Sequence, residues 1–179
     1  MPRESTLIQS SSTPQKTYSF PEQRRIGQIG EEILDSYLKR SYFLEPANRT
    51  LQDYEIDRIA TPLSGGRSWY LEYKTDLKAD TTGNAFIETI GADANRKNQG
   101  WVTKSRADIL VYYLPFSGRV YVLPMTRIRG FLTYWTNRYE VKTAQNAKYR
   151  THGLIVPLFE LNAVGFLARI RSIDHSRFT

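Results

Sequence analysis

Residues 54–60, YEIDRIA, and residues 69–74, WYLEYK, decide our interpretation of the fold. Both segments are rich in aromatic and β-branched residues, and the polar, glycine-containing segment between them is typical of a turn, so the sequence predicts a hairpin of two strands. Side chains alternate between the two faces of a strand, which places Glu72 and Lys74 on the same face. If the strands pair, Asp57 can converge with them. A divalent metal ion and a water nucleophile would make use of such a group of charges.

The spacing of an acidic residue two positions before a lysine is a weak signal by itself. The chain has 18 acidic residues and 8 lysines in 179 positions, so chance alone would give about one such pair. Three occur, at residues 72–74, 76–78 and 140–142. The first lies inside a predicted strand with an acidic strand beside it, whereas the second falls in a polar stretch and the third follows a helical pattern. Context therefore selects Glu72 and Lys74.

A glycine pattern upstream completes a recognisable order of residues. The segment GQIGE at residues 27–31 opens a predicted helix over residues 22–41, and the pair Asn48-Arg49 precedes the acidic strand. Over about residues 25–114, this order resembles the PD-(D/E)XK nuclease superfamily, especially its small Holliday-junction-resolvase-like members with a restriction-endonuclease-like core. The chain departs from the family at the Pro-Asp pair, because Ile56 takes the place of the proline.

The resemblance implies a role for each matched residue. Asp57 and Glu72 would bind Mg²⁺ together with the backbone carbonyl of Tyr73, with Mn²⁺ as a substitute, since hard oxygen ligands suit these ions. Lys74 would orient the attacking water and help to deprotonate it. Glu31 would complete the acidic cluster through a water molecule. The metal would lower the pKa of its bound water and neutralise charge on the scissile phosphate.

Other assignments of the acidic residues stay open at the level of sequence. Glu32 could replace Glu31, Asp53 is a rival of Asp57 as a metal ligand, and Glu55 could be a further ligand or could hold a basic neighbour. Glu88 would be an extra carboxylate near the metal or an exposed residue on an edge strand. The whole set could also form a solvated, salt-bridged face that contributes little to stability.

Composition limits the classes of function. The net charge is +7, and 17 of the 25 basic residues are arginines, whose guanidinium groups match phosphate oxygens. This favours nucleic acid as a partner, although a net charge of this size also aids solubility. The absence of cysteine excludes disulfides and thiolate zinc sites, and two separated histidines argue against a histidine-based nuclease. No apolar run reaches a membrane span and no secretory signal is evident, so we expect a cytoplasmic protein.

Two basic segments, residues 91–106 and residues 139–151, are candidates for contact with DNA. In the first, basic and amide groups surround an aromatic residue, a combination that suits backbone contact and base stacking; the alternative is a flexible surface loop anchored by that aromatic residue. The second is either a DNA contact or an ordinary long loop. The candidates are Arg96, Lys97, Trp101, Lys104 and Arg106 in the first segment, and Lys148 and Arg150 in the second.

The chain is predicted to form one α/β domain over residues 21–179, preceded by a flexible tail at residues 1–20. A mixed central β-sheet should be flanked by α-helices, with residues 108–114 as its central strand and residues 119–123 as the next strand of a hairpin. A helix capped by Thr126 should run to about Arg138, and a last short helix should cover residues 162–171.

The expected function is Mg²⁺-dependent hydrolysis of DNA phosphodiester bonds by an endonuclease. The resemblance implies a homodimer that acts on branched DNA. Restriction-type cleavage of duplex DNA and exonuclease trimming remain open alternatives. A nucleic-acid-binding protein that has the fold without catalysis is an alternative. A protein-interaction module with a basic surface is another.

Overall fold

A six-stranded mixed sheet forms the centre of the structure, a computed structural model that describes residues 20–90, 99–145, 150–171 and 174–178. A three-stranded antiparallel sheet lies beside it. In chain order the elements are α1 (Phe20–Leu38), β1 (Tyr42–Pro46), α2 (Arg49–Gln52), β2 (Arg58–Pro62), β3 (Trp69–Thr75), α3 (Ala79–Thr82), β4 (Asn84–Ile90), α4 (Trp101–Lys104), β5 (Ile109–Leu114), β6 (Arg119–Pro124), α5 (Met125–Arg138), β7 (Val141–Gln145), β8 (Arg150–Pro157), α6 (Leu158–Val164), β9 (Phe166–Arg169) and a final 3₁₀ turn (His175–Phe178).

The central sheet has the strand order β1-β2-β3-β5-β6-β9. Only β3 and β5 run parallel, and the other neighbours are antiparallel. Helix α1 packs with one buried cluster on one face, and α5 and α6 pack with a second cluster on the other. The predicted α/β domain with a mixed sheet flanked by helices is therefore confirmed.

Strand β5 is central because its side chains are apolar on both faces. Five of its six residues are buried, as expected for a strand covered by helices on each side. It pairs with β6 through the predicted hairpin. The hairpin of β2 and β3 is confirmed as well, although β2 begins at Arg58 rather than at Tyr54.

The second sheet, in the order β4-β8-β7, was not predicted. Sequence analysis placed β7 in the polar, basic segment 139–151, which was interpreted as either a DNA contact or a long loop, and the structure shows that its side chains are mostly exposed. The strand is held by its pairing with β8, and backbone hydrogen bonds of this kind do not depend on the side chains. The sheet reaches the core through Ala85 and Ile87 of β4 and Leu154 of β8, which are all fully buried.

Two predictions near helices are wrong. The last helix is α6, which ends at Val164, and β9 then joins the central sheet. A Cβ at Gly165 would lie 2.1 Å from the carbonyl oxygen of Val122, so glycine is required where the chain turns onto β6. Thr126 does not cap α5, because the helix begins at Met125 directly after Pro124.

The tail predicted at residues 1–20 lies almost wholly outside the described residues, and α1 starts at Phe20. Among the helices that the structure describes, none combines the length and the apolar character of a bilayer span.

Helix α1 approaches the end of β3 at Gly30. A Cβ built on Gly30 would lie 1.9 Å from Oγ1 and 3.0 Å from Cβ of Thr75, whereas one built on Gly27 would meet nothing within 4 Å. Rotating the threonine hydroxyl would not relieve the contact with its Cβ. Gly30 therefore sets how closely the helix that carries Glu31 sits on the sheet.

We expect Gly30→Ala to lower the free energy of unfolding by about 1–3 kcal/mol, because either α1 or β3 must shift to admit the methyl group. Urea unfolding followed by tryptophan fluorescence measures the change. Gly27→Ala is the matched control in the same helix, and it should be neutral or stabilising by about 0.5–1 kcal/mol, since alanine favours the helix. Equal effects of the two substitutions would contradict this account of the helix–sheet contact.

Candidate active site

An open edge of β3 holds the three predicted catalytic side chains. Strand β2 pairs with β3 only from Leu71 back toward Trp69, so residues 72–75 of β3 have β5 as their one strand neighbour. Asp57, just before β2, occupies the vacated side. Its Oδ2 accepts a hydrogen bond of 2.7 Å from the backbone N–H of Tyr73. The carboxylate thus takes the place of a strand partner and is fixed at the edge.

Glu72 and Lys74 form an ion pair on the face of β3 next to Asp57. The distance from Lys74 Nζ to Glu72 Oε1 is 2.5 Å. The Glu72 side chain is only 2% exposed, whereas that of Lys74 is 31% exposed. The lysine side chain therefore extends from a buried carboxylate toward the surface.

Burial and neighbouring negative charge disfavour ionisation of the carboxylates at this edge, and the pKa values of both are raised. Burial raises the pKa of Glu72 to about 8, with the charge of Asp57 adding to the rise and that of Lys74 opposing it. Burial also raises the pKa of Asp57, against the hydrogen bond from Tyr73. For Lys74, burial disfavours the charge, but Glu72 and Glu55 outweigh it and raise the pKa. Lys74 is consequently a cation at neutral pH.

Helix α1 supplies two acidic side chains to the same region. Glu31 Oε2 lies 3.0 Å from Arg58 Nη2, and Asp35 pairs with Arg58 Nε at 3.0 Å. Burial and then the charge of Asp57 raise the pKa of Glu31, so the two carboxylates lie near enough to repel each other. Glu32 instead pairs with Arg177, away from this edge. The structure therefore brings Glu31, rather than Glu32, toward Asp57.

Arg58 and Asp35 are parts of the arrangement that sequence analysis missed. Arg58 binds both acids of α1 and lies 5.6 Å from the ring centroid of Tyr73, whose hydroxyl donates to Asp35 at 3.3 Å. The spacing of Glu31 and Asp35 was available as a signal, because residues four apart share one side of a helix.

Glu55 connects the site to a second lysine. Its carboxylate lies 3.7 Å from Lys74 Nζ and 2.6 Å from Lys104 Nζ. Among described residues other than glycine, Glu55 alone has a positive φ, 53°. Such a conformation is unfavourable for a side-chain-bearing residue and is often found at functional sites. Here it lies in the turn between α2 and β2, with its carboxylate beside the two lysines.

The remaining candidate carboxylates have different surroundings. Glu88 on β4 accepts the backbone N–H of Trp101, and its pKa is raised by burial and lowered by the charge of Lys74, which places it in the same electrostatic environment. Asp53 caps the end of α2 and lines a neighbouring cavity, so it does not compete with Asp57 for the edge of β3.

The predicted DNA contacts separate into three groups. Trp101 is 6% exposed within the core, so its ring packs there rather than stacking on a base. Lys104 and Arg106 line the cavity beside the site, and Arg150 is exposed on β8, where it donates to Gln145. Three other candidates lie outside the described residues: Arg96, Lys97 and Lys148.

The donor atoms at the edge of β3 fit a hard divalent cation. Asp57 and Glu72 supply carboxylate oxygens, and the Tyr73 carbonyl faces the same edge as its N–H, because both groups of a strand residue point to one neighbour. No three His, Cys, Asp or Glu side chains within the described ranges are grouped as a metal site. With two carboxylates and one carbonyl as protein ligands, an ion here would keep several waters, as Mg²⁺ usually does.

Comparisons with known proteins give little beyond this geometry. No family model matches the chain, and no curated protein matches it. Among solved structures, it is similar to a bacterial homing endonuclease, I-Ssp6803I, with 18% sequence identity and a TM-score of 0.42 over 57% of this chain and 68% of that chain. At that TM-score the likeness assigns neither a family nor an activity to this chain.

The raised pKa of Glu72 predicts a stability that falls with rising pH. The folded chain retains the Glu72 proton to a higher pH, with a pKa of about 8, than an unperturbed carboxyl with a pKa of 4.5 does, and Lys74 pairs with the ionised form. Unfolding therefore releases a proton in this window, and the folded state loses stability as the pH rises through it. Glu72→Gln should flatten this decline between about pH 5 and about pH 8, because a glutamine side chain does not titrate.

Urea unfolding at several pH values in the presence of a chelator measures the effect. Glu32→Gln is the control, since Glu32 is exposed and pairs with Arg177 outside the site. If the free energy of unfolding depended on pH in the same way for wild type and Glu72→Gln, the pKa of Glu72 would not be raised in the folded chain.

Proposed function

We propose that this protein is a divalent-metal-dependent DNA endonuclease that hydrolyses phosphodiester bonds. The observation that carries the proposal is the convergence of Asp57, Glu72 and Lys74 at the open edge of β3. Asp57 comes directly before β2, Glu72 comes from β3, and Lys74 pairs with Glu72. A purely structural ion pair would not need a second acid beside it, because the charge of Asp57 disfavours ionisation of Glu72.

Asp57, Glu72 and the carbonyl of Tyr73 would hold the ion, with Mg²⁺ as the physiological choice and Mn²⁺ as a substitute. When bound, the metal supplies a water of lowered pKa and neutralises negative charge on the phosphate. Burial prepares the carboxylates for this role, since their raised pKa values fall once a cation replaces the missing solvent.

Lys74 acts as a hydrogen-bond donor in this proposal. Its charge, maintained by Glu72 and Glu55, can orient the attacking water and stabilise negative charge on the phosphate oxygens. The same charge argues against removal of a proton from water by Lys74, the second part of the role implied by the family resemblance. Glu31 pairs with Arg58 near the site. It would act on the metal through its negative charge or through a bridging water molecule.

DNA as the substrate is supported by charge around the site. The chain carries a net charge of +7, and Lys104 and Arg106 lie beside the catalytic edge. Cationic side chains release counterions from the phosphate backbone, so binding should weaken steeply with salt. Action on branched DNA and assembly as a homodimer stay predictions.

We expect Asp57→Asn, Glu72→Gln and Lys74→Ala each to reduce Mg²⁺-dependent cleavage by at least about a hundredfold, because each removes a group that acts on the reacting phosphate. The assay incubates the full chain with Mg²⁺ or Mn²⁺ and linear, nicked, flapped and four-way DNA. Affinity for DNA in EDTA should change much less than cleavage does.

Lys142→Ala is the matched control, since Lys142 has the same spacing from an acidic residue but pairs with Glu140 on the surface at 3.6 Å. It should cleave like the wild type. Cleavage at the wild-type rate by the three site variants would refute the assignment.

The metal itself is tested by thermal unfolding. Mg²⁺ at about 100 times its dissociation constant should stabilise the wild type by about 2.7 kcal/mol, which raises Tm by several degrees. Asp57→Asn should lose the increase, because it removes a ligand, and Glu32→Gln should retain it. An equal increase in all three proteins would place the ion elsewhere.

A further inference from the structure

A cavity of about 640 Å³ lies between the turn after α2 and helix α4. Asp53 and Tyr54 form one wall, and Lys104 and Arg106 form the other. A hydrogen bond of 2.9 Å from the backbone N–H of Arg106 to the carbonyl of Tyr54 joins the walls. The Ser105 hydroxyl also donates to the Glu55 carbonyl at 3.0 Å. These bonds fix the walls relative to each other, so the cavity is a built part of the fold.

The cavity presents a planar surface. The guanidinium carbon of Arg106 lies 4.7 Å from the centroid of the Tyr54 ring, and Tyr54 remains 42% exposed. Aromatic rings and guanidinium planes are the groups on which unstacked bases pack in single-stranded nucleic acid complexes. The lining therefore offers a place for one flat ring system.

The charges of the lining suit a nucleotide rather than a neutral ring. Lys104 and Arg106 carry positive charge, and Arg129 adds a third cation, held in place by donation to the carbonyls of Val102 and Ser105. Asp53 is the acidic member of the lining and can accept from the amino group of a base. Three cations and one carboxylate match a phosphate attached to a base.

The cavity is coupled to the catalytic edge through Glu55. This residue follows Tyr54 directly, and its positive φ turns its side chain to Lys104 and Lys74 while Tyr54 lines the cavity. A strand whose phosphate lies at Lys74 would thus have a neighbouring nucleotide at the cavity. The volume falls within the range of small-ligand sites, about 300–1,000 Å³.

We propose that this cavity receives one unpaired nucleotide of the strand that is cut, which makes the preferred substrate DNA with an unpaired nucleotide beside the scissile phosphate. The inference rests on the proposed nuclease function and adds its substrate class. A paired base would have to leave its stack and its partner before entering, whereas an unpaired base enters without that penalty. Flaps, bulges and branch points supply such bases, and continuous duplex DNA does not.

The test compares the affinity of the full chain for two labelled duplexes by fluorescence anisotropy in EDTA, where no metal-dependent cleavage occurs. The duplexes differ only by one extra unpaired thymidine in one strand. The wild type should bind the bulged duplex about tenfold more tightly, the effect expected for one stacked base. Tyr54→Leu should bring the ratio of the two affinities to about one, and Tyr54→Phe should preserve it.

Tyr134→Leu is the matched control. Tyr134 is 46% exposed and also stacks with an arginine, Arg138, at 5.6 Å, but it lies on α5 outside the cavity lining. Its substitution should leave the ratio at the wild-type value. Circular dichroism confirms folding of each variant, and Arg106→Gln reports the same ratio if Tyr54→Leu does not fold.

A wild-type ratio near one overturns the inference, as does a ratio that survives in folded Tyr54→Leu. The proposed function fails by a different observation, the absence of Mg²⁺-dependent cleavage of either duplex by the wild type. A preserved binding ratio without cleavage would support the nucleotide cavity and reject the nuclease activity.

Discussion

The contact between Glu72 and Lys74 is the interaction on which the site depends. A carboxylate that is 2% exposed would be strongly unfavourable without a cation beside it, and Lys74 provides that cation at 2.5 Å. Strand β3 can keep Glu72 there because its opposite face supplies Leu71 and Tyr73 to the cluster under α1. The strand therefore uses one face to hold the domain together and the other to hold charge.

The surrounding charges form two small ion-pair networks, in each of which one residue pairs with two others. On the helix side, Arg58 satisfies Glu31 and Asp35 together. On the cavity side, Glu55 stands between Lys74 and Lys104. Arg58 places a positive charge near Asp57, and Lys74 places one beside Glu72. The protein thus tolerates several like charges in a small volume.

The sequence predicted features that belong to a single strand or helix, and it missed those that depend on contacts between distant segments. Alternation of side chains placed Glu72 and Lys74 together, because that property belongs to a single strand. The choice between Glu31 and Glu32 required α1 to be oriented on the sheet, which depends on the contact of Gly30 with Thr75. Trp101 was misassigned because a tryptophan in a basic segment has the same sequence pattern whether its ring is buried or exposed. The edge role of Asp57 arises where β2 stops pairing, and the positive φ of Glu55 has no local sequence signal.

The second sheet links the site to the end of the chain. Strand β4, with Glu88, belongs to the connection between β3 and β5, and its partner β8 comes from the C-terminal part of the chain. During synthesis, the ribosome therefore releases Asp57, Glu72 and Lys74 well before the strand that closes this connection. A nascent or truncated chain would carry the three reactive groups without the β8 partner that anchors β4 and its neighbour α4, so β4 and Glu88 take their places only after β8 has been made.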